Sequence, residues 1–303
     1  MRRLLRGLAV VAAALALVAC GLHVAQSGDG APGVPPPGAL RVATLNVHYI
    51  LANRETGPWS LADWAARREA LDAAVKATGA DVIAFQEMES FRGGDADTDN
   101  LARAFLLARN PGYAAAATGD WRVFPSTQPI FYRRDRLALR DQGWFFFSTT
   151  PDAIYSRTFD GSWPAFASWA EFETRPEGHR LRVVNVHFEH RSRSNRHQSA
   201  ALVAGRLASV IGAGGAVVLA GDINDITGSR THAILRGAGF AFLPVTGSTY
   251  HLNRGLNLVP AIDHIALAGP LRAAGQPVVI RRRFGGIWPS DHYPVLADIL
   301  PGG

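Results

Sequence analysis

Four largely apolar runs in this sequence each stop abruptly at a residue suited to metal or phosphate chemistry. Residues 40–45 stop at Asn46, residues 81–85 at Gln86-Glu87, residues 181–186 at His187, and residues 216–220 at Gly221-Asp222-Ile223-Asn224. Short apolar runs bounded by turn signals read as strands buried on both faces. Two further runs, 262–267 and 294–300, carry their polar residues at the start, in Asp263-His264 and in Ser290-Asp291-His292. Strands are also expected near 130–132, 137–147 and 165–172. Phe145-Phe146-Phe147 reads as a doubly buried strand rather than a membrane-inserting loop. Helical patterns lie between the strands. Ser60 opens one, with Asp63 in a capping-box position, Trp64, Leu71 and Val75 on the inner face, and Gly79 as its stop. Asn195 to Ile211 forms another, with Val203, Leu207, Val210 and Ile211 on one side. In α/β folds, ligands collect at strand ends, where loops are rigidly supported. One polar residue at a strand end is ordinary loop chemistry. Four of these types in one chain point to a site.

The N-terminus has a different character. Met1-Arg2-Arg3-Leu4-Leu5-Arg6 is basic and Leu8 to Ala19 is almost wholly apolar, the build of a secretory signal and short for a membrane span. It ends in Leu17-Val18-Ala19-Cys20, which looks like a bacterial lipobox, so Cys20 is expected to become the lipidated first residue of the mature protein. An ordinary signal peptide with a chance cysteine is the competing reading. Residues 21–38 are rich in Gly and Pro and read as a flexible tether. The chain therefore divides into a leader (1–20), a tether (21–38) and one domain (39–303), exported, membrane-anchored, facing the periplasm or the outside, and expected to be a monomer. Cys20 is the only cysteine. The domain has no disulfide, cysteine metal site or cysteine nucleophile, and must be held by its core. Nearly half the residues, 48%, are apolar, enough for one large core. The formal charge of +6 includes three leader arginines and no leader acids, so the mature chain is only mildly basic. That does not by itself argue for nucleic acid. The clusters Arg191, Arg193, Arg196 and Arg281 to Arg283 read as solvated loops or edges.

Taken together, Phe85-Gln86-Glu87, Gly221-Asp222-Ile223-Asn224, Ile262-Asp263-His264-Ile265 and Ser290-Asp291-His292 resemble the signature segments of the endonuclease/exonuclease/phosphatase superfamily, the DNase I-like metal-dependent phosphohydrolases. Trp64-x-x-Arg67-Arg68, Pro129 to Arg133 and Phe147 to Pro151 are similar to segments of its bacterial secreted members, and the resemblance extends from Arg41 to Ile299. It implies an α/β fold, a four-layer α/β/β/α sandwich in which helices flank two packed mixed sheets. It also implies roles. Glu87 is the direct ligand of a Mg²⁺-type ion (Mn²⁺ or Ca²⁺ also possible), with Asn46 orienting it and Asp291 a further carboxylate on the metal side. Asp222 positions and deprotonates the attacking water, and Asn224 binds a phosphoryl oxygen. His292 sits beside the phosphate with Asp263 orienting its ring. His187 stabilises the transition state, and His190 matches a second histidine of bacterial members. His48 and His251 read equally as substrate contacts or structural histidines. Two departures stand out: relatives often have Arg where this chain has Ala261, and Glu where it has Gln128. Pro260-Ala261-Ile262-Asp263-His264 also departs from the inositol-phosphatase pattern.

The chemistry explains these residue types without the family. Phosphoester hydrolysis brings an oxygen nucleophile to an anion. A cation and an imidazolium lower the repulsion, and a carboxylate serves as base. The leading expectation is an exported metal-dependent phosphodiesterase or nuclease acting on nucleic acid, a nucleotide or a phospholipid head group. A sphingomyelinase-like lipid phosphodiesterase and an inactive lipid-anchored binding protein remain open alternatives. A zinc hydrolase is disfavoured, because no His-Glu-x-x-His pattern is present. Replacing Cys20 by Ser should leave the leader unprocessed or release the protein from membranes. Processing and fractionation identical to wild type would rule out the lipobox.

Overall fold

The structure is a computed structural model that describes residues 2–88, 90–91, 100–125 and 127–301; Met1 of the expected leader and the last two residues of the expected domain lie outside them. In chain order the elements begin with α1 (Arg2–Ala25), β1 (Leu40–Asn46), β2 (Ile50–Leu51), α2 (Leu61–Thr78), β3 (Val82–Gln86), β4 (Ser90–Phe91) and α3 (Leu101–Arg109). There follow β5 (Tyr113–Ala116), β6 (Ile130–Arg133), β7 (Leu137–Phe146), β8 (Phe166–Thr174), β9 (Arg180–His187), α4 (Arg193–Gly212) and β10 (Val217–Asp222). The chain ends with α5 (Arg230–Gly237), β11 (Ala241–Phe242), β12 (Asp263–Ala268), β13 (Leu271–Ala273), β14 (Val278–Val279) and β15 (Val295–Pro301).

Two sheets carry the fold. One runs β13-β15-β1-β3-β6-β5, with β14 also on β15; the other runs β11-β12-β10-β9-β8-β7. Each contains one parallel pair, β1 with β3 and β9 with β10, among antiparallel neighbours. Side-chain alternation then sorts every strand. Val42, Val82, Ala84, Val183, Val218, Ala220, Ile265 and Val295 meet in the core between the sheets. Ala43, Leu45, Ile83 and Phe85 face outward and are covered by Trp64, Leu71 and Val75 of α2 and Leu106 of α3. Val184, Val186, Val217, Leu219 and Ala266 are covered by Ala200, Val203 and Leu207 of α4 and Leu235 of α5. The result is the expected α/β/β/α sandwich.

Local chemistry sets the element ends. Ser60 Oγ accepts the Asp63 backbone N–H at 3.1 Å, and Gly79 ends α2 with φ of 56°. The Phe145–Phe147 run is buried on both sides: Phe145 and Phe147 pack under α4, and Phe146 against Phe166. The leader is helical, and α1 runs five residues past Cys20 into the segment read as a tether. Its span Arg6–Ala25 has mean hydropathy 2.4, with none of it buried; against the expectation from residues 8–19 it is long and apolar enough to cross a membrane by length and composition, because the helix extends at both ends of that run.

The Gly/Pro-rich segment departs from the free tether expected of it. Gly30 N–H donates to the Val279 carbonyl at 2.9 Å, Asp29 accepts the Arg281 backbone N–H at 2.7 Å, and Arg41 donates to the Gly33 carbonyl at 2.7 Å. The segment follows the β14 edge because that strand has spare backbone groups, and Gly30 has no side chain to collide with Val278.

Gly221 is the tightest glycine among the described residues. Its φ is 151°, and a Cβ there would lie 1.9 Å from the Val186 carbonyl oxygen of the paired strand. Gly221→Ala is therefore expected to cost about 3 kcal/mol or more. That corresponds to a melting temperature lower by roughly 6–12 °C for a domain of this size, read by circular dichroism. An unchanged melting curve would mean that the strand end relaxes around a methyl group.

Candidate active site

Alternation that places Val42 and Thr44 between the sheets also places Asn46 there, at the end of β1. By the same rule Asn185 and His187 follow Val183 in β9, and Asp222 follows Ala220 in β10. These inner rows are apolar low in the sandwich and polar at one end. Glu87 does not follow the rule. As the residue after Gln86 it would point outward, but its φ of 55° turns the chain and brings its carboxylate back to Asn46. His48 and Asn224, each just past a strand end, are also left-handed, at 63° and 51°. Such backbone costs energy for residues other than glycine and persists where surrounding contacts over-determine it.

The polar ends converge. Asn46 Nδ2 donates to Glu87 Oε1 at 3.0 Å and to Asp222 Oδ2 at 3.3 Å. His187 Nε2 lies 3.7 Å from Glu87 Oε1 and 3.8 Å from Asp222 Oδ2. From the C-terminal motif, His292 Nε2 stands 3.8 Å from the same Asp222 oxygen, while its Nδ1 donates to Asp263 Oδ2 at 2.8 Å. Asp291 Oδ1 accepts from His48 Nδ1 at 3.1 Å. Asp222 and Asp263 face each other across the antiparallel β10–β12 pair, and both are about 1% exposed.

Burial and neighbouring charge set the protonation states. Burial, helped by the charge of Asp263, raises the Asp222 pKa to about 6, against the pull of His292 and His187. Burial also raises Glu87, and the charge of Asp291 adds to it. Burial alone would depress His292, but the charge and hydrogen bond of Asp263, with Asp222 and Asp291 behind them, hold it well above its usual value. His187 is lowered by burial. Burial alone would raise Asp291, but the His48 hydrogen bond and the charge of His292 hold it well below the usual carboxylate range. The site thus pairs a poised carboxylate with a stable imidazolium.

Two groupings have the spacing or chemistry for a cation. Ligand atoms of Asp222, Asp263 and His292 lie within 4.8 Å of one another. A protonated His292 ring has no lone pair to give, and its Nδ1 is committed to Asp263. Glu87 and Asp291 fit better. They are two partly buried carboxylates, the charge of Asp291 adding to the raised pKa of Glu87, beside the Asn46 amide, and oxygen donors suit a hard divalent ion.

The other expected residues are placed as follows. Asn224 stands at the site, but its Nδ2 donates to the Phe188 carbonyl at 2.8 Å and its backbone N–H to Asp222 Oδ1 at 2.8 Å. Its amide holds the loop that carries Asp222. His190 is largely exposed and paired with Glu189 at 3.3 Å. His251 is buried against the Trp288 and Tyr293 rings, a structural histidine. Gln128 donates to the Phe166 carbonyl at 2.6 Å, a bond an ionised glutamate could not make. The arginine clusters are only partly solvated: Arg196 donates to the Glu189 and His190 carbonyls, and Arg281 to the Thr246, Ser248 and Gly28 carbonyls.

Three supports escaped the sequence reading of roles. Arg67, 4% exposed, donates to the carbonyls of Val47 and His48 at 2.7 Å and Pro289 at 3.1 Å, tying the loop after β1 to the one before β15. Ser290 Oγ donates to the Asn46 carbonyl at 2.7 Å. Thr249 Oγ1 accepts the backbone N–H groups of Ile262 and Asp263. Arg67 lies in a segment noted for its resemblance, but only contact reveals what it binds.

The sequence profile of the Endonuclease/Exonuclease/phosphatase family matches residues 43–292. No curated protein matches the chain. Among solved structures, it resembles an endonuclease/exonuclease/phosphatase from Bacteroides vulgatus at 23% identity and TM-score 0.72, over 87% of this chain and 99% of that one. A mannosyl-6-phosphatase from Bacteroides thetaiotaomicron VPI-5482 is similar at 22% identity and TM-score 0.71, over 86% and 99%. D. rerio TDP2 complexed with a single-strand DNA product is similar at 17% identity and TM-score 0.59, over 86% and 98%. At these identities the structures share the fold.

Asp222 gives a test with opposed signs. Its folded pKa, near 6, lies above the unfolded carboxylate value, so the native state binds the extra proton and stability falls as pH rises from about 4 to 6. At pH 7 the ionised group costs the fold on the order of 3 kcal/mol. Asp222→Asn should therefore melt at least as high as wild type at pH 7 and flatten the pH dependence across that window. Turnover of an activated phosphodiester should fall by roughly 10²–10⁴-fold. Lower stability with full turnover would make Asp222 a structural brace.

Proposed function

This chain belongs to the endonuclease/exonuclease/phosphatase family, and from that premise we propose that it is an exported, metal-dependent phosphodiesterase or nuclease with Asp222 as its base. At the level of the family it is a hydrolytic phosphoesterase. The observation that carries the finer reading is the juxtaposition at Asp222: a fully buried carboxylate with a raised pKa, within 3.8 Å of Nε2 of two imidazoles, one held protonated. A base poised near neutral pH beside a fixed cation suits water attack on an anion.

The proposed roles follow from the contacts. Asp222 accepts the proton of the attacking water; Asn46 and the Asn224 backbone N–H hold its two oxygens and so aim it. His292, locked by Asp263 through Nδ1, presents Nε2–H to a phosphoryl oxygen and meets the charge that builds in the transition state. His187, near Glu87 and Asp222, donates from the other side. Asn224, its Nδ2 engaged, contributes mainly through the loop it holds. A divalent ion held by Glu87, with Asn46 and Asp291 beside it, would supply further neutralisation of the phosphoryl charge.

A second reading is favoured by one observation. The exposed apolar helix Arg6–Ala25 supports membrane attachment, and a membrane-bound phosphoesterase meets phospholipid head groups. The similar structures include a mannosyl-6-phosphatase and TDP2 in complex with a single-strand DNA product, so both monoesters and diesters belong in a substrate panel. An inactive binding protein is disfavoured, because a buried charged cluster has no packing role that apolar residues would not fill at lower cost.

The test uses wild type, Glu87→Gln and His292→Ala on DNA, RNA, nucleotides, sugar phosphates and phospholipids, with Mg²⁺, Mn²⁺ or Ca²⁺. Turnover in wild type and a fall of roughly 10²-fold or more in His292→Ala are expected. Calorimetric titration of Mg²⁺ should show strongly weakened binding in Glu87→Gln. Unchanged affinity removes Glu87 from the ligand set, and no turnover of any substrate favours the binding-protein alternative.

A further inference from the structure

We infer that the surface formed by residues 251–259 and 283–288 rests on the lipid bilayer to which the chain is anchored at Cys20, seating the catalytic groups beside an anionic membrane surface. The inference deepens the anchored reading above and rests on it.

The argument starts at the junction of helix and domain. Asn257 donates its backbone N–H to His23 Nδ1 at 3.1 Å and its Nδ2 to Ser27 Oγ at 2.8 Å. The Ser248 N–H donates to the Gln26 carbonyl at 3.2 Å. Asp29 then accepts the Arg281 N–H and pairs with Arg282 at 3.5 Å, and Gly30 joins the β14 edge. No free linker separates Cys20 from the domain, because residues 23–30 are already bound to it. His23 is three residues beyond Cys20, about 5 Å along a helix axis, comparable to the thickness of a head-group layer. With the acyl chains of Cys20 in the membrane, the loop bound to His23 lies at head-group level.

That loop has the chemistry for the position. Leu252, Leu256 and Val259 are 45%, 40% and 37% exposed, and Ile287 on the adjoining turn is 43% exposed. The two segments pack together, since a Cβ on Gly255 would meet the Trp288 ring, and His251 lies 4.5 Å from it. Exposed Arg254 and Arg283 flank the apolar tips; Arg283 also lies over Trp288 at 4.9 Å. Apolar tips among arginines suit an interfacial position on anionic lipid. Leu252 and Asn253 are held left-handed, at 58° and 53°, which fixes how the tip is presented. The loop also starts at the reacting groups: the Tyr250 ring stands 5.0 Å from His292, and the His251 N–H donates to the Asp291 carbonyl at 2.9 Å.

The full chain is reconstituted in phosphatidylcholine vesicles with and without phosphatidylglycerol. Leu256→Cys and, at the opposite ends of the strands, Glu177→Cys carry an environment-sensitive dye, with wild type as the blank for Cys20. A nitroxide on the lipid head group is the quencher. Several-fold stronger quenching at 256 than at 177 is expected, increased by phosphatidylglycerol and reduced by Arg254→Glu with Arg283→Glu. That double variant should leave hydrolysis of a soluble substrate unchanged. A chain that floats with vesicles but is quenched equally at both positions overturns the inference and spares the anchor. A chain that fails to float removes both. Quenching at 256 that disappears while a concentration-dependent dimer forms would assign the face to a second copy instead.

Discussion

The hydrogen bond from Gln86 Nε2 to Asn185 Oδ1, 2.7 Å long and fully buried, joins the two sheets just below the site. It belongs to a wider set. Thr44 Oγ1 donates to Gln86 Oε1, Asn185 Nδ2 to the Phe85 carbonyl at 2.7 Å, and Ser168 Oγ to the Gln128 carbonyl at 2.6 Å. Apolar side chains between packed sheets tolerate small slides, because dispersion and burial are not directional. A buried amide left unpaired costs about 1–3 kcal/mol, so these groups are all satisfied in only one relative placement of the sheets. That placement brings Asn46 and Glu87, from one sheet, against His187 and Asp222, from the other. The convergence of the site is thus a consequence of a polar layer that takes no part in the chemistry.

The site works against the stability of the fold that holds it. Asp222 is a buried and Glu87 a partly buried carboxylate whose ionisation burial resists, and Glu87, His48 and Asn224 sit in left-handed backbone conformations. The surroundings hold them in place. Arg67 binds the carbonyls on either side of the β1 exit, Ser290 ties Asn46 to the Asp291-His292 step, and Thr249 holds the start of β12. The strain has a purpose in geometry: only a left-handed Glu87 brings its carboxylate to the inner face, one residue out of phase with its strand. The tightness at Gly221 belongs to the same design, since the backbone must pass close to Val186 to deliver Asp222 at the strand end.

Much of this was legible in the sequence, for a physical reason. Strand burial is a local pattern, so the runs ending at Asn46, His187 and Asp222 announced both the sheets and the residues at their tips. The caps at Ser60 and Gly79 are equally local, and the structure has them where the spacing predicts. The motif resemblance named the same residues that the structure brings together, from Glu87 to His292. Other features depend on partners distant in sequence. Asn224 spends its amide on Phe188, Gln128 on Phe166, and His251 is enclosed by Trp288 and Tyr293. No local pattern distinguishes such a residue from one left free for a substrate.

The N-terminal region shows the same division most plainly. Its composition is that of a mobile tether, and composition decides how a segment behaves when it has no partner. Here it has one: the β14 edge, Arg281 and Asn257 take up its backbone and side-chain groups. The sequence by itself determined the strands, their caps and the residue types at their ends, because periodicity and capping act over a few residues. The tertiary structure alone decided which ends meet, which carboxylate faces which imidazole, and whether a polar side chain is spent or free. Those outcomes rest on hydrogen bonds and charges between groups that share a place in space and nothing in sequence.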